Sequence, residues 1–301
     1  MKKSCFVFLL AGAIALFAIS FFGCAHPENP DLSVYSEEVV LREELTDPPT
    51  AIIEESLPPD TLSTEGIEEE ETENVAAAGS PFVYQAPASD LETYLAACAK
   101  ATVNVRKGPG TSYASFFLLE KGDSLPYLWQ EGEWIAVWTG ERVGYLHENY
   151  ASTQETNLAI ERVIRAGLRK IATPYQWGAP RILNEKGKVN PYFTGESFDC
   201  SSFVQYCYYV GAGIKLGNYT GSQSDFTVGE RISSYADLRR GDFYFTGKGS
   251  ISHVVIYLGE GLLLQTYSAN GGPVSVTSDE RWKGNFLSGR RPDLTVVDQF
   301  R

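Results

Sequence analysis

Cys200 stands in the stretch FDCSSFVQYCYYV (198–210), just after an aspartate and just before an apolar run. A thiol in that setting is either a packed core group or a nucleophile. Asp199 is a good helix N-cap, because its side-chain oxygen can accept from the unpaired amides of the first turn. Cys200 then falls in that first turn, where free N–H groups and the helix dipole favour an anion. The dipole contributes only about 0.3–1 kcal/mol, too little to hold a thiolate at neutral pH. A neighbouring imidazolium lowers a cysteine pKa much further. The Asp199 charge works against a thiolate, so its carboxylate is expected to turn toward backbone donors or substrate.

The chain has three histidines, so the search for a base is short. His26 lies in an acidic, Pro-containing segment and His147 in GYLHENY. His253 opens the apolar run HVVIYLG. A polar ring at the end of a buried strand needs a partner, which makes His253 the candidate base. A base is usually oriented by a third polar group. Gln265 stands twelve residues on, in LLLQTYS, and its amide oxygen can accept from Nδ1–H of His253 across a hairpin. An amide orients an imidazolium but stabilises it less than a carboxylate would.

These groups need a scaffold. Residues 156–171 carry Ile160, Val163, Ile164, Leu168 and Ile171 on one helical stripe, and Pro174 should end that helix. Residues 199–211 read as a second helix, with Phe203, Tyr206, Cys207 and Val210 on one face. Between them, 179–197 is a polar, Gly/Pro-containing insertion. DFYFT (242–246), ISHVVIYLG (251–259) and GLLLQTYS (261–268) read as consecutive strands with tight glycine turns. A cysteine-bearing helix followed by an antiparallel sheet is an α+β arrangement. Earlier in the chain, ATVNV (101–105), DSLPYLW (123–129), EWIAVWT (133–139) and VGYL (143–146) are short strand-like runs cut by Gly and Pro. Their spacing predicts a small barrel. Trp134 and Trp138 stay open between core and an exposed groove. Cys98 is expected ahead of this barrel as a structural thiol, and Cys207 as a small apolar residue in the second helix.

The 301 residues allow two modest domains and more. The formal charge of −13 is unevenly placed. Residues 26–80 hold sixteen Asp/Glu and one Arg, Lys2 and Lys3 add two positive charges, and 81–301 balance at 22 acidic and 22 basic side chains. A neutral folded part excludes a basic nucleic-acid surface. Residues 24–80 are too polar to fold and read as an acidic tether. Lys2 and Lys3, the apolar run Phe6–Phe22 and Gly23-Cys24 read as an export signal. That signal resembles a lipoprotein type, with cleavage after residue 23 and lipidation of Cys24. Cys98, Cys200 and Cys207 do not make a disulfide framework. With no Cys-x-x-Cys and no histidine pair, neither a metal nor a cofactor is expected.

The ordered segments NVRKGPGTSY, LEKGD, GEWIAVW and GYLHENY resemble a bacterial SH3 domain. TPYQWG (173–178), FDCSSFVQY (198–206), RRGDFYF (239–245) and SHVVIYLGEGLLLQ (252–265) resemble the NlpC/P60 cysteine peptidases over roughly 156–293. The resemblance implies a papain-like catalytic domain at 153–301 behind an SH3-like barrel at 81–152. It implies cleavage of γ-D-glutamyl-diamino acid bonds in murein stem peptides through a thioester. It also implies that Cys200 is nucleophile, His253 general base and Gln265 the third polar residue. Tyr175 would help form the oxyanion site, and Asp199 and Ser201 would line the substrate. The loop that carries Arg-Asp-Ser in relatives reads NYTGSQ (218–223) here, which leaves Ser222 as a substrate contact beside Gln223. The acidic residue that binds a free N-terminal amine has no match, and Glu185 or Glu196 of the insertion are candidate substitutes. The barrel is expected either to wall one end of the cleft or to bind wall polymer at a distance. A monomer, exported and held at a membrane by its lipid, completes this reading. Its rivals are a non-catalytic murein-binding lipoprotein and an acyltransferase or amidase on the same scaffold.

Overall fold

In the computed structural model the described residues are 84–267 and 272–295. The signal at 1–23, the lipid site at Cys24 and the tether at 24–80 lie outside them. The first sheet has seven strands: β1 (Tyr94–Ala99), β2 (Val103–Arg106), β3 (Ser115–Leu119), β4 (Ser124–Glu131), β5 (Trp134–Trp138), β6 (Val143–His147) and β7 (Ala151–Thr156). Their lateral order is β3-β2-β6-β5-β4-β1-β7, all antiparallel. Val103, Val105, Ile135, Val137 and Leu146 close over Ala97 and Ala99 as its core. The runs rich in branched and aromatic residues became β2, β4, β5 and β6, as their alternation predicts. β1 and β7 did not show in the sequence, because YLAACA is too small and ASTQET too polar to carry a strand pattern. Cys98 is therefore not ahead of the sheet. It sits inside β1, opposite Ser124 and Ser152. β7 carries the sheet to Thr156, past residue 152. Trp134 and Trp138 are both half-buried: Trp138 stacks on Tyr84 at 5.2 Å and Trp134 meets His147 edge-on at 5.0 Å.

The second domain begins with α1 (Leu158–Leu168), capped by Asn157, whose side chain accepts from Ile160 N at 2.9 Å. Ile160, Val163 and Ile164 are buried as the stripe predicts, but the helix stops six residues short of Pro174 and leaves Ile171 exposed. The cause is tertiary. Ala172 turns left-handed (φ 70°), and the 172–173 backbone pairs with Val274 at 2.9 and 2.8 Å. Then follow α2 (Cys200–Ala212), α3 (Thr220–Ser224), β8 (Gly229–Ile232), β9 (Phe243–Thr246), β10 (His253–Gly259), β11 (Leu262–Tyr267), β12 (Gly272–Ser278), α4 (Glu280–Lys283) and β13 (Phe286–Pro292). The antiparallel sheet runs β12-β11-β10-β9-β13-β8. Both long helices pack on it, and eleven of the thirteen α2 residues are buried. A Cβ on Gly167 of α1 would come within 2.9 Å of Cys207 Sγ and 2.6 Å of Leu264, so that glycine sets how closely the two helices and β11 approach. Among the described residues no helix is long and apolar enough to cross a membrane.

The domains are joined by a buried ion pair. Glu161 of α1 accepts from Arg240 Nε at 2.7 Å and Nη2 at 2.9 Å. It also takes the hydroxyls of Ser124 (β4) and Thr156 (β7), each at 2.6 Å. Arg240 in turn donates to Gly122 O and Leu258 O. Beside this weld, Gly259 (φ 88°) lies so close to Gln154 that a Cβ would overlap it at 1.7 Å. These contacts fuse the barrel to the Leu258–Gly259 end of β10. His253 is at the other end, six residues or about 20 Å along the strand.

Candidate active site

Asp199 makes the start of α2. Its Oδ1 accepts from Ser202 N at 2.8 Å, and Ser202 Oγ accepts from Asp199 N at 2.9 Å, a reciprocal cap in which serine takes the usual Glu/Gln place. The same carboxylate takes the Ser201 hydroxyl at 3.0 Å on Oδ1 and Arg181 Nη2 at 2.8 Å on Oδ2. Its charge is thus directed at backbone, hydroxyl and guanidinium. Cys200 occupies the first helical position and is 8% exposed. Burial pushes its thiol up to about 11, and the Asp199 charge adds to that; the amides of Val254, Ser201 and Cys200 itself oppose it. Val254 follows His253 directly, so the sulfur lies against the first residues of β10.

His253 is 5% exposed. Burial lowers its imidazole to about 4, the Arg281 charge adding to this and the Gln265 bond opposing it. Gln265 Oε1 lies 2.7 Å from His253 Nε2, and Gln265 Nε2 donates to Thr277 Oγ1 at 2.6 Å. The ring nitrogen engaged is therefore Nε2, not the Nδ1 expected from the sequence. With the amide oxygen as acceptor, the proton sits on Nε2 and the lone pair on Nδ1. Trp282 of α4 packs on the imidazole at 4.6 Å between centroids. Burial moves both groups toward their neutral forms.

Residues 172–291 match the NlpC/P60 family model, and residues 101–152 match the bacterial SH3 domain model. The chain carries an NlpC/P60 domain behind a bacterial SH3 domain. Peptidoglycan endopeptidase RipB of Mycobacterium tuberculosis is 33% identical over 142 residues, 47% of this chain and 54% of its own. Peptidoglycan DL-endopeptidase CwlO of Bacillus licheniformis is 34% identical over 144 residues, 46% of this chain and 30% of its own. The solved NlpC/p60 domain of peptidoglycan hydrolase SagA is 26% identical, with 44% of this chain and 97% of that one covered at a TM-score of 0.35. The chain spans between about a fifth and about half of the length of such curated relatives.

Within the NlpC/P60 domain the remaining expected site residues divide. Tyr175 is half-buried, and its backbone forms a parallel bridge with Phe198, two residues before the cysteine. Gln176 N donates to Phe198 O at 2.9 Å and Phe198 N to Pro174 O at 3.1 Å, which fixes that segment beside the nucleophile turn. Ser201 is buried between Asp199 and Arg181 Nη2, the latter at 3.2 Å. Ser222 is differently placed. Its hydroxyl donates to Tyr219 O at 2.9 Å and accepts from Tyr219 N at 3.2 Å, so it closes the first turn of α3. The neighbouring Gln223 does reach α2, donating to Ser201 O at 2.8 Å.

The 179–197 insertion is not merely polar. Ala179, Ile182 and Leu183 are buried, and Leu183 N donates to Gln205 Oε1 at 3.1 Å. Glu185 and Glu196, the acids considered as amine binders, are both exposed, Glu185 in a turn capped by Asn184. What the insertion delivers to the nucleophile turn is a base, Arg181, further tied to Asn218 O at 2.5 Å and Ala179 O at 2.7 Å. Nothing in GAPRIL marks that role, since it depends on where the insertion folds back. Trp282, Tyr267 and Thr277 were likewise invisible: Tyr267 and Thr277 reach His253 or Gln265 through the sheet and Trp282 through the short helix α4.

Proposed function

We propose that this protein is a murein peptide hydrolase that cleaves γ-D-glutamyl-diamino acid bonds through a cysteine thioester. The observation that carries this is a buried Cys200 at a helix start, beside a strand whose histidine has its Nε2 engaged by Gln265 and its Nδ1 lone pair left for a proton. In the reaction, Nδ1 of His253 takes the thiol proton as Cys200 Sγ attacks the γ-glutamyl carbonyl. Proton transfer during attack suits groups that burial pushes toward neutrality, because a standing ion pair in this setting carries the desolvation of two charges. The Cys200 amide and the Tyr175 hydroxyl receive the developing oxyanion, each such donor being worth about 3 kcal/mol. The imidazolium, oriented by Gln265, protonates the leaving amine, and the neutral ring then activates water against the thioester. Arg181 offsets the Asp199 charge that otherwise opposes a negative sulfur.

The relatives named for peptidoglycan and DL-endopeptidase activity support this substrate class. A degenerate, binding-only site has no use for a Gln265 amide held between His253 and Thr277. The export signal, the lipid on Cys24 and the tether at 24–80 belong to the same proposal: they place a monomeric enzyme on a membrane facing the wall. The test incubates the protein and its Cys200→Ala variant with L-Ala-γ-D-Glu-diaminopimelate and its N-acylated form, with products read by mass spectrometry. Cleavage of the γ-glutamyl bond by the parent alone is expected. A folded parent that leaves both peptides intact would overturn the proposal.

A further inference from the structure

Arg281 is an exposed arginine held in one orientation. Its guanidinium lies 4.7 Å from the Tyr267 ring centre and 4.9 Å from that of Trp282, and Nη1 donates to the Tyr267 hydroxyl. The described ion pairs give it no carboxylate partner, and the nearby acidic Asp279 takes the Tyr235 hydroxyl instead. Both rings that hold it also touch the base: Trp282 lies 4.6 Å and Tyr267 6.0 Å from the His253 ring. A cation that is fixed in place, stripped of flexibility and left unpaired is a receptor for an anion, and a guanidinium suits a carboxylate in two-point contact.

The reaction decides which anion. The group that receives a proton from His253 is the leaving amine, so the leaving residue must lie against the imidazole. The acyl half lies on the Asp199–Ser201 side. On the far side of the imidazole stand the Trp282 and Tyr267 rings, and on them Arg281, so a leaving residue extended that way would reach the guanidinium. Murein peptides present one of two diamino acids there. Diaminopimelate ends in a carbon bearing both an amine and a carboxylate, whereas lysine ends in an ammonium alone. We propose that Arg281 reads the distal carboxylate of the leaving diamino acid and so selects diaminopimelate over lysine. This rests on the γ-glutamyl cleavage reading above and adds the residue that sets its specificity. Lysine would bring its ammonium toward a guanidinium, a like-charge approach that disfavours it.

The experiment compares kcat/KM of the parent and of Arg281→Gln on three tripeptides. These are L-Ala-γ-D-Glu-diaminopimelate, the same peptide with its distal carboxyl amidated, and L-Ala-γ-D-Glu-L-Lys. The parent is expected to favour the diaminopimelate peptide over both others by about 2- to 5-fold at low salt, the range for an exposed charge contact. That preference should shrink as ionic strength rises. Arg281→Gln should bring the three values together by lowering the first alone. An equal loss on all three would make Arg281 a support for Trp282 and His253, and an unchanged ratio, or full preference for the amidated peptide, would equally overturn the proposal. Dissociation constants of the same peptides for Cys200→Ala and Cys200→Ala/Arg281→Gln give a reading independent of turnover. If the parent cleaves nothing, the reaction proposal fails. Arg281 is then judged by whether the affinity gap exists and disappears with its side chain.

Discussion

Glu161 and Cys200 are both buried and both ionisable, yet their surroundings treat charge in opposite ways. Burial would raise the Glu161 carboxyl, but the Arg240 guanidinium and the Ser124 and Thr156 hydroxyls hold it below its ordinary value. Its two oxygens are fully used by four donors. This cluster keeps its charges by satisfying every one, and it welds two domains. At Cys200 and His253, burial has its way and both groups are pushed toward neutrality. One lone pair there is left unspent. A structural charge is closed off by partners, whereas at Cys200 and His253 burial works against charge.

That contrast can be broken from either side. Cys200→Ala should lower turnover by about 10⁴-fold or more and leave the melting temperature nearly unchanged, because a small side chain replaces a small one. Arg240→Leu should do the reverse. It strands the Glu161 charge among barrel and helix, at a cost of about 3–5 kcal/mol in a denaturant titration. Arg240→Leu combined with Glu161→Leu should recover much of that loss, since removing both charges is far cheaper than removing one. If Arg240→Leu costs under about 1 kcal/mol, the Glu161 cluster is not closed.

At the His253 end the difference shows in pH dependence. Its folded value of about 4 lies below the ordinary 6.5. The unfolded chain therefore binds the proton first as pH falls, and stability is lost from about pH 6.5 down through about 4. The loss approaches about 3 kcal/mol. His253→Phe should flatten that part of the stability curve. The acid limb of kcat/KM should also lie below 6.5. Gln265→Leu should move it lower still, by removing the bond that raises the imidazole, and should cost about 10- to 100-fold in kcat through the lost orientation. Thr277→Val should give the smallest change, a few-fold in kcat, because it only frees the Gln265 amide.

Sequence alone determined what is settled within a turn or a strand. Asp199 caps and Cys200 follows because the capping bond spans three residues. Ile135, Val137 and Val254 to Ile256 are core because alternation and apolar runs leave them no other place. His253 emerges by elimination among three histidines, and Gln265 by its isolation in an apolar strand. Tertiary structure decided the rest. Whether Gln265 reaches His253 depends on the register of β10 against β11, and which ring nitrogen it meets depends on the imidazole rotamer that packing selects. The premature end of α1 depends on a claim made by Val274, a hundred residues away. Arg181 reaches Asp199 only because the insertion folds back, and Arg240 finds Glu161 across 79 residues of chain. The push of Cys200 and His253 toward neutrality follows from how much water the domain excludes. Local bonds are written in local residues, but desolvation and long-range pairing exist only once the chain has closed on itself.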